Sequence, residues 1–259
     1  MRNILQEIAR DKRLEIEKLQ VDLPLQHLQA KIIPRSESPF GNALSKTDSV
    51  NIIAELKQGS PSKGLLTDNF NPVIKAKQYY DGGATALSVL TDQKYFYGRH
   101  EFLSMVKHET DLPVLCKDFV VNRYQLYYAR YMKADAILLI VQLLNQSTLQ
   151  EYLKIADAIG LDCLVEAHDA NEVKVAVESG AKIIGINNRN LYDFTVTLET
   201  SIQLAKLIPD NIIKVTESGI EKYEDVKHLQ SAGFNCFLVG ESLMTADDPI
   251  AHLKSLKGI

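Results

Sequence analysis

The sequence predicts an α/β protein, a single (β/α)8 TIM barrel with an N-terminal helical extension over residues 1–45. Three observations carry this. From Val50 onward, short apolar, β-branched runs alternate with polar turns and helical periods, the signature of a parallel sheet. Eight such runs can be marked. At 259 residues, 46% of them hydrophobic, the chain can fill one large core, and barrels of this class reach about 250 residues as one domain.

The strand candidates are Asn51–Leu56, Ala84–Leu90, Pro113–Cys116, Asp135–Ile140, Asp162–Val165, Lys182–Ile186, Ile212–Val215 and Cys236–Val239. Helical periods fall over Pro72–Tyr80, Arg123–Met132, Thr148–Ile159, Asn171–Ser179, Leu198–Leu207 and Tyr223–Ser231. Pro72 follows Asn71 at a helix start, and Gly160, Gly180 and Gly233 stand just past helix ends, as helix chemistry favours. Right-handed crossovers allow an open doubly wound sheet or a closed barrel, and eight units favour the barrel. The leading segment has helical periodicity over Ile4–Leu19 and Leu23–Ile32, broken at Pro24 and ended by Ile33-Pro34. It is expected to plug a barrel mouth; a part in a substrate pocket or an oligomer contact is the alternative. No linker divides the chain, and little of it follows the eighth unit, so no fused second enzyme is expected.

The net charge of -4 is spread without long like-charge runs, which argues against nucleic acid and a membrane surface as partners. The start carries charges within its apolar periodicity, and no segment approaches the ~18 apolar residues of a membrane span, so a cytoplasmic protein is expected. Cys116, Cys163 and Cys236 are far apart in apolar runs and read as buried thiols.

Period-two alternation puts Asn51, Ile53, Glu55 and Lys57 on one face of the first strand and Ile52, Ala54 and Leu56 on the other. The apolar set suits the helix layer, so Glu55 and Lys57 point into the barrel near its C-terminal rim, where barrel enzymes keep their chemistry. Taken alone the pair reads equally as a structural ion pair. Polar tips recur, however: Lys117, Glu166, and Asn187 with Arg189 each follow an apolar strand run. Such a convergence points to a site. The last two units end in Thr216-Glu217-Ser218-Gly219-Ile220 and Val239-Gly240-Glu241-Ser242, glycine-bearing turns at the positions where barrels often bind phosphate. The first βα loop, Gln58–Leu66, is long, bracketed by Gly59 and Gly64, and not a Walker loop; it is read as a mobile lid or a solvated loop. Thr91–Gly98 carries an aromatic run that could wall a planar ligand or simply pack. Histidines get no role, His168 being read as helix-entry packing beside Asp169.

Together these segments resemble the indole-3-glycerol-phosphate synthase family of tryptophan biosynthesis, over nearly the whole chain. The specific parts are Ile53–Gly64, Ser88–Phe96, Leu115–Phe119, Leu164–His168, Gly185–Arg189 and Glu217–Ile220. Gly59 and Ala167 depart from commoner family choices, at positions that supply no chemistry. The resemblance implies Lys117 as general acid and Glu166 as general base, with Glu55, Lys57 and Asn187 organising the reacting groups. It implies Arg189 for the substrate carboxylate, Phe96 and Phe119 for the aromatic pocket, and Ser60, Ser218, Gly219, Gly240 and Glu241 for the phosphate or sugar end. The implied substrate is a small phosphorylated molecule, 1-(2-carboxyphenylamino)-1-deoxyribulose 5-phosphate, with no metal and no cofactor; protein partners are not specified. Whether Lys117 or Lys57 protonates the departing hydroxyl stays open. Alternatives are a Schiff-base aldolase, a sugar-phosphate isomerase and a non-catalytic sugar-phosphate-binding barrel.

Overall fold

The structure, a computed structural model, describes residues 4–37, 39–61 and 63–259. Residues 1–3 and 38 of the extension and Ser62 of the first loop lie outside the described residues. The strands are β1 (Asn51–Leu56), β2 (Ala86–Leu90), β3 (Val114–Lys117), β4 (Ala136–Ile140), β5 (Asp162–Ala167), β6 (Ile183–Asn187), β7 (Ile213–Glu217) and β8 (Cys236–Val239). They form one closed barrel in chain order, and every neighbouring pair is parallel. Closure joins β1 to β8 through Asn51↔Cys236 to Ala54↔Val239.

Parity builds two cores from one sheet. Ile53, Ala86, Leu115, Leu138, Leu164, Ile183, Val215 and Leu238 fill the barrel interior. Ile52, Ala54, Leu56, Val89, Leu139 and Val165 face outward and pack with Tyr79, Leu103, Leu126, Leu149, Val173, Leu229 and Leu253 of the helical ring. Burying such a side chain fully contributes roughly 1.5–3 kcal/mol. The ring helices start and stop on local chemistry. Asn71 Oδ1 accepts from the Val73 and Ile74 amides ahead of Pro72–Asp81, and Asn145 caps Gln146–Ile159, which Gly160 ends at φ 68°. Helices at Glu101–Glu109 and Pro249–Leu256 complete the ring; the sequence reading did not mark them.

Four strands run further than expected. Lys117, Glu166, Asn187 and Glu217 are the last or near-last residues of β3, β5, β6 and β7, because the ladder continues through Ile140↔Glu166, Glu166↔Gly185 and Asn187↔Glu217. The polar tips are therefore held by sheet backbone, not by loops.

The extension works at both ends of the barrel rather than as a plug over one mouth. Its last helix, Pro39–Leu44, closes the N-terminal end: Phe40 and Leu44 join the interior core. The Gly41 amide donates to Asp162 at 2.7 Å, and Asn51 donates to the Lys46 carbonyl at 2.7 Å. Its first helix, Ile4–Asp22, reaches the opposite end, where Leu5 joins the interior core and Lys12 is fully buried. Lys12 pairs with Asp92 at 2.9 Å and Asp118 at 3.1 Å, on the segments after β2 and β3. No helix among the described residues is long and apolar enough to cross a membrane.

Candidate active site

One cavity of about 760 Å³ opens at the C-terminal ends of the strands, a size that suits a small-molecule site. Glu55, Lys57, Ser60, Phe96, Lys117, Phe119, Glu166, Asn187, Arg189, Ser218, Gly219, Gly240 and Glu241 all line it. The structure thus brings together every residue that the sequence singled out. It adds Ile4, Leu5 and Ile8 of the extension, Leu138 and Ile140 of β4, and Glu217.

Glu217 is the residue the sequence reading missed. It follows Val215, an interior residue, by two positions, so the parity that places Glu55 inside places Glu217 inside as well. Lys117 is the hub. Its Nζ lies 3.3 Å from Glu217 Oε2 and 3.5 Å from Glu55 Oε2, while Lys57 Nζ holds the other Glu55 oxygen at 3.1 Å. Burial alone would strip the proton from Lys117, but Glu217, Glu55 and Glu166 hold it well above the ordinary lysine range. Glu55 is affected in the opposite sense: burial pushes it up, and Lys57 and Lys117 more than reverse this. Glu217 differs again. Burial, with Glu166 and Glu55 adding to it, outweighs Lys117 and raises the carboxyl to about 8, and among the described residues both its oxygens are buried without a hydrogen bond. Glu166 stays ionised: burial opposes it, but His168, Lys117 and Asn187 draw it below the usual carboxylate range.

Two glycines make room for these carboxylates. A Cβ at Gly185 would collide with Glu217 Oε1, and one at Gly240 would meet Glu55 Oε1 at 2.5 Å. Gly240 thus makes room for a cavity-lining carboxylate, besides the close approach to a ligand for which the sequence selects it. After β7, Ser218 (φ 70°) and Gly219 (φ 79°) are consecutive left-handed residues, strained for the serine. The Ser218 hydroxyl donates to Asn187 Oδ1 at 2.9 Å, which also accepts from the Arg189 amide at 3.0 Å. With its oxygen taken, the Asn187 amide NH2 is left for Glu166.

Arg189 lies on the β8 side of the mouth, 3.5 Å from Glu241 Oε2, and donates to the Phe194 carbonyl at 3.4 Å. Lys63 Nζ meets the other Glu241 oxygen at 3.3 Å. The first loop is a small antiparallel hairpin, Gly59–Ser60 against Gly64–Leu65, with Ser60 Oγ accepting from the Lys63 amide. The aromatic run folds as a short helix, Gln93–Phe96, capped by Asp92 on the Tyr95 amide at 2.8 Å. It brings Phe96 to Phe119, ring centroids 5.8 Å apart, as one wall of the cavity. Cys116, Cys163 and Cys236 are free and buried away from this chemistry.

A family model described as indole-3-glycerol phosphate synthase matches residues 5–256. The chain belongs to the indole-3-glycerol phosphate synthase family. The indole-3-glycerol phosphate synthase of Ruminiclostridium cellulolyticum is 43% identical over 258 residues, covering 98% of this chain and 99% of that protein. That of Legionella pneumophila strain Paris is 43% identical over 248 residues, covering 96% of each. Among solved structures, 3-hexulose-6-phosphate synthase from Salmonella typhimurium superposes with a TM-score of 0.66 at 13% identity, over 80% of this chain and 97% of that one. At that identity the likeness concerns the fold alone.

Proposed function

We propose that the chain, working as one domain, closes the indole ring of 1-(2-carboxyphenylamino)-1-deoxyribulose 5-phosphate, giving indole-3-glycerol phosphate, CO2 and water. The observation that carries this reading is a buried, protonated Lys117 and a buried, ionised Glu166 facing one cavity from β3 and β5. The aromatic carbon bearing the carboxylate attacks the ketone carbon, and Lys117 gives its proton to the ketone oxygen as negative charge builds there. Such transfer is typically worth ~10²–10⁴-fold. Loss of CO2 returns the electron pair to the ring. The hydroxyl then leaves as water on a second proton, from Lys57 or from a Lys117 that has regained its proton from solvent, while Glu166 takes the proton whose removal completes the aromatic system.

Glu55 and Lys57 hold Lys117 in place, and Asn187, fixed by Ser218, steadies Glu166. The phosphate end suits the turns after β7 and β8, with Ser218, Gly219, Gly240 and Ser60 around it, and the anilino ring suits the Phe96–Phe119 wall. Arg189 and Lys57 are the cations for the substrate carboxylate; Arg189 must leave Glu241 to serve there. A Schiff-base route needs a neutral amine, and the ionised Glu55 and Glu166 keep Lys117 charged. A cytoplasmic setting fits the buried free thiols.

Purified protein mixed with the carboxyphenylamino-deoxyribulose phosphate is expected to produce indole fluorescence and to resist borohydride trapping. Substrate binding without fluorescent product would favour a non-catalytic binding barrel. Covalent trapping on a lysine would favour the aldolase chemistry.

A further inference from the structure

The inward parity of β5 does not stop at its last paired residue. Leu164 is interior, Glu166 faces the cavity, and His168 continues the same face into the turn. The next helix fixes His168 from behind. Asp169 caps that helix, Ala170–Glu178, by accepting from the Glu172 amide at 2.9 Å, which sets Glu172 in the first turn. The Glu172 carboxylate reaches back, accepts from the His168 backbone amide at 2.8 Å and lies 3.1 Å from His168 Nδ1. The opposite ring nitrogen, Nε2, lies 3.3 Å from Glu166 Oε1.

An imidazole with a carboxylate at each nitrogen satisfies both only with a proton on both, that is, as the imidazolium. We propose that His168 is a positioning residue, the centre of a Glu172–His168–Glu166 carboxylate–imidazolium–carboxylate chain that aims the Glu166 carboxylate and keeps it ionised. This rests on the reading of Glu166 as the base.

The charged groups that face the ring are Glu166 at its own strand end and Glu172 on the next helix; Lys117, from β3, acts on the same Glu166. Burial would lower the histidine's proton affinity, yet Glu166 and Glu172 raise it to about 10, so the ring is cationic through the neutral range. The Glu166 contact is an ion pair without an aligned hydrogen bond, since Nε2 has no hydrogen-bond partner among the described residues. The carboxylate is thus steered by charge while it stays available to the cavity. The site needs this because burial favours protonation of the Glu166 carboxyl.

The test compares His168→Gln, His168→Ala and Glu172→Gln with the parent protein, tracking kcat, KM and the pH dependence of kcat, with Glu166→Gln alongside. For the His168 variants kcat is expected to fall between about ten- and a hundredfold with KM little changed. The acid limb of the kcat profile should move up by about one pH unit, because Glu166 has lost its cation. Glutamine, which donates a hydrogen bond without charge, should recover part of kcat but leave the limb displaced. Glu172→Gln leaves both other groups in place, guards against a folding defect in the His168 variants, and should move the limb in the same direction by less. Unchanged kcat, or a lower kcat with an unmoved acid limb, overturns the proposal and leaves His168 as packing. If Glu166→Gln keeps its turnover, the base assignment fails and this proposal fails with it; if Glu166→Gln is inactive and the limb does not move, only the His168 proposal fails.

Discussion

Two buried charge clusters stand at the same end of the barrel, and they are built differently. Around Lys12 the contacts are short and complete: Asp92 at 2.9 Å, Asp118 at 3.1 Å and Glu15 at 2.9 Å. Asp118 further accepts from the Thr91 hydroxyl and the Phe119 amide, each at 2.7 Å, and meets His100 at 3.3 Å. Around Lys117 the carboxylates stand off at 3.3 and 3.5 Å, and both Glu217 oxygens are buried without a hydrogen bond among the described residues. A saturated cluster has no valence to offer a ligand and serves to fasten the first helix to the loops bearing Phe96 and Phe119. The unsaturated one keeps groups buried beside the cavity at a cost in free energy. Buried charge alone therefore does not mark a site; incomplete satisfaction beside a cavity does.

The contrast can be broken at several points. The largest effect is expected at Lys117→Ala, where turnover falls ~10²–10⁴-fold. Near-normal turnover there would move the acid role to Lys57. Next, Asp118→Asn should cost about 1–3 kcal/mol in urea unfolding, since Lys12 keeps Asp92 but loses one carboxylate.

Glu217 gives a pH signature. Its carboxyl is raised from its ordinary 4.5 to about 8 in the folded protein, so the native state binds its proton more tightly than the unfolded chain does. The stability it contributes is complete below about 4.5 and is lost as pH rises through about 8. Unfolding free energies of the parent protein and Glu217→Gln, measured across that window, should diverge, the variant losing less as pH rises; parallel curves would mean that Glu217 is ionised throughout. The smallest effect is expected at Thr91→Val, about 1 kcal/mol of stability with turnover intact.

Much of this arrangement is legible from alternation alone. Asn51–Leu56 shows its parity within six residues, so Glu55 stands out as a carboxylate on an interior face. The same rule applied to Ile213, Val215 and Glu217 finds Glu217, and applied to Leu164, Glu166 and His168 finds the histidine. Ending each strand at its last apolar residue hides both, whereas the ladder runs on through polar ones. The Lys12 cluster is different in kind. It joins residues from the first helix and two separate loops, contacts that no local pattern encodes. The double role of the extension is hidden for the same reason: which end of a barrel a leading helix reaches is decided by long-range packing of Leu5, Phe40 and Leu44, and not by their spacing.

On the proposed reading, the Lys12 cluster holds the fold and the Lys117 cluster does the chemistry. The same substitution made in each tests this most directly: Lys12→Met and Lys117→Met, with kcat and urea-unfolding free energy measured on both. Lys12→Met is expected to lose about 3–5 kcal/mol of stability, as for a broken buried ion pair, while keeping most of its turnover. Lys117→Met is expected to lose turnover by ~10²-fold or more and to lose less stability than Lys12→Met, since Glu55 keeps Lys57 and Glu166 keeps His168. Equal losses of stability in the two variants, or turnover surviving at Lys117 and vanishing at Lys12, would contradict that division of labour.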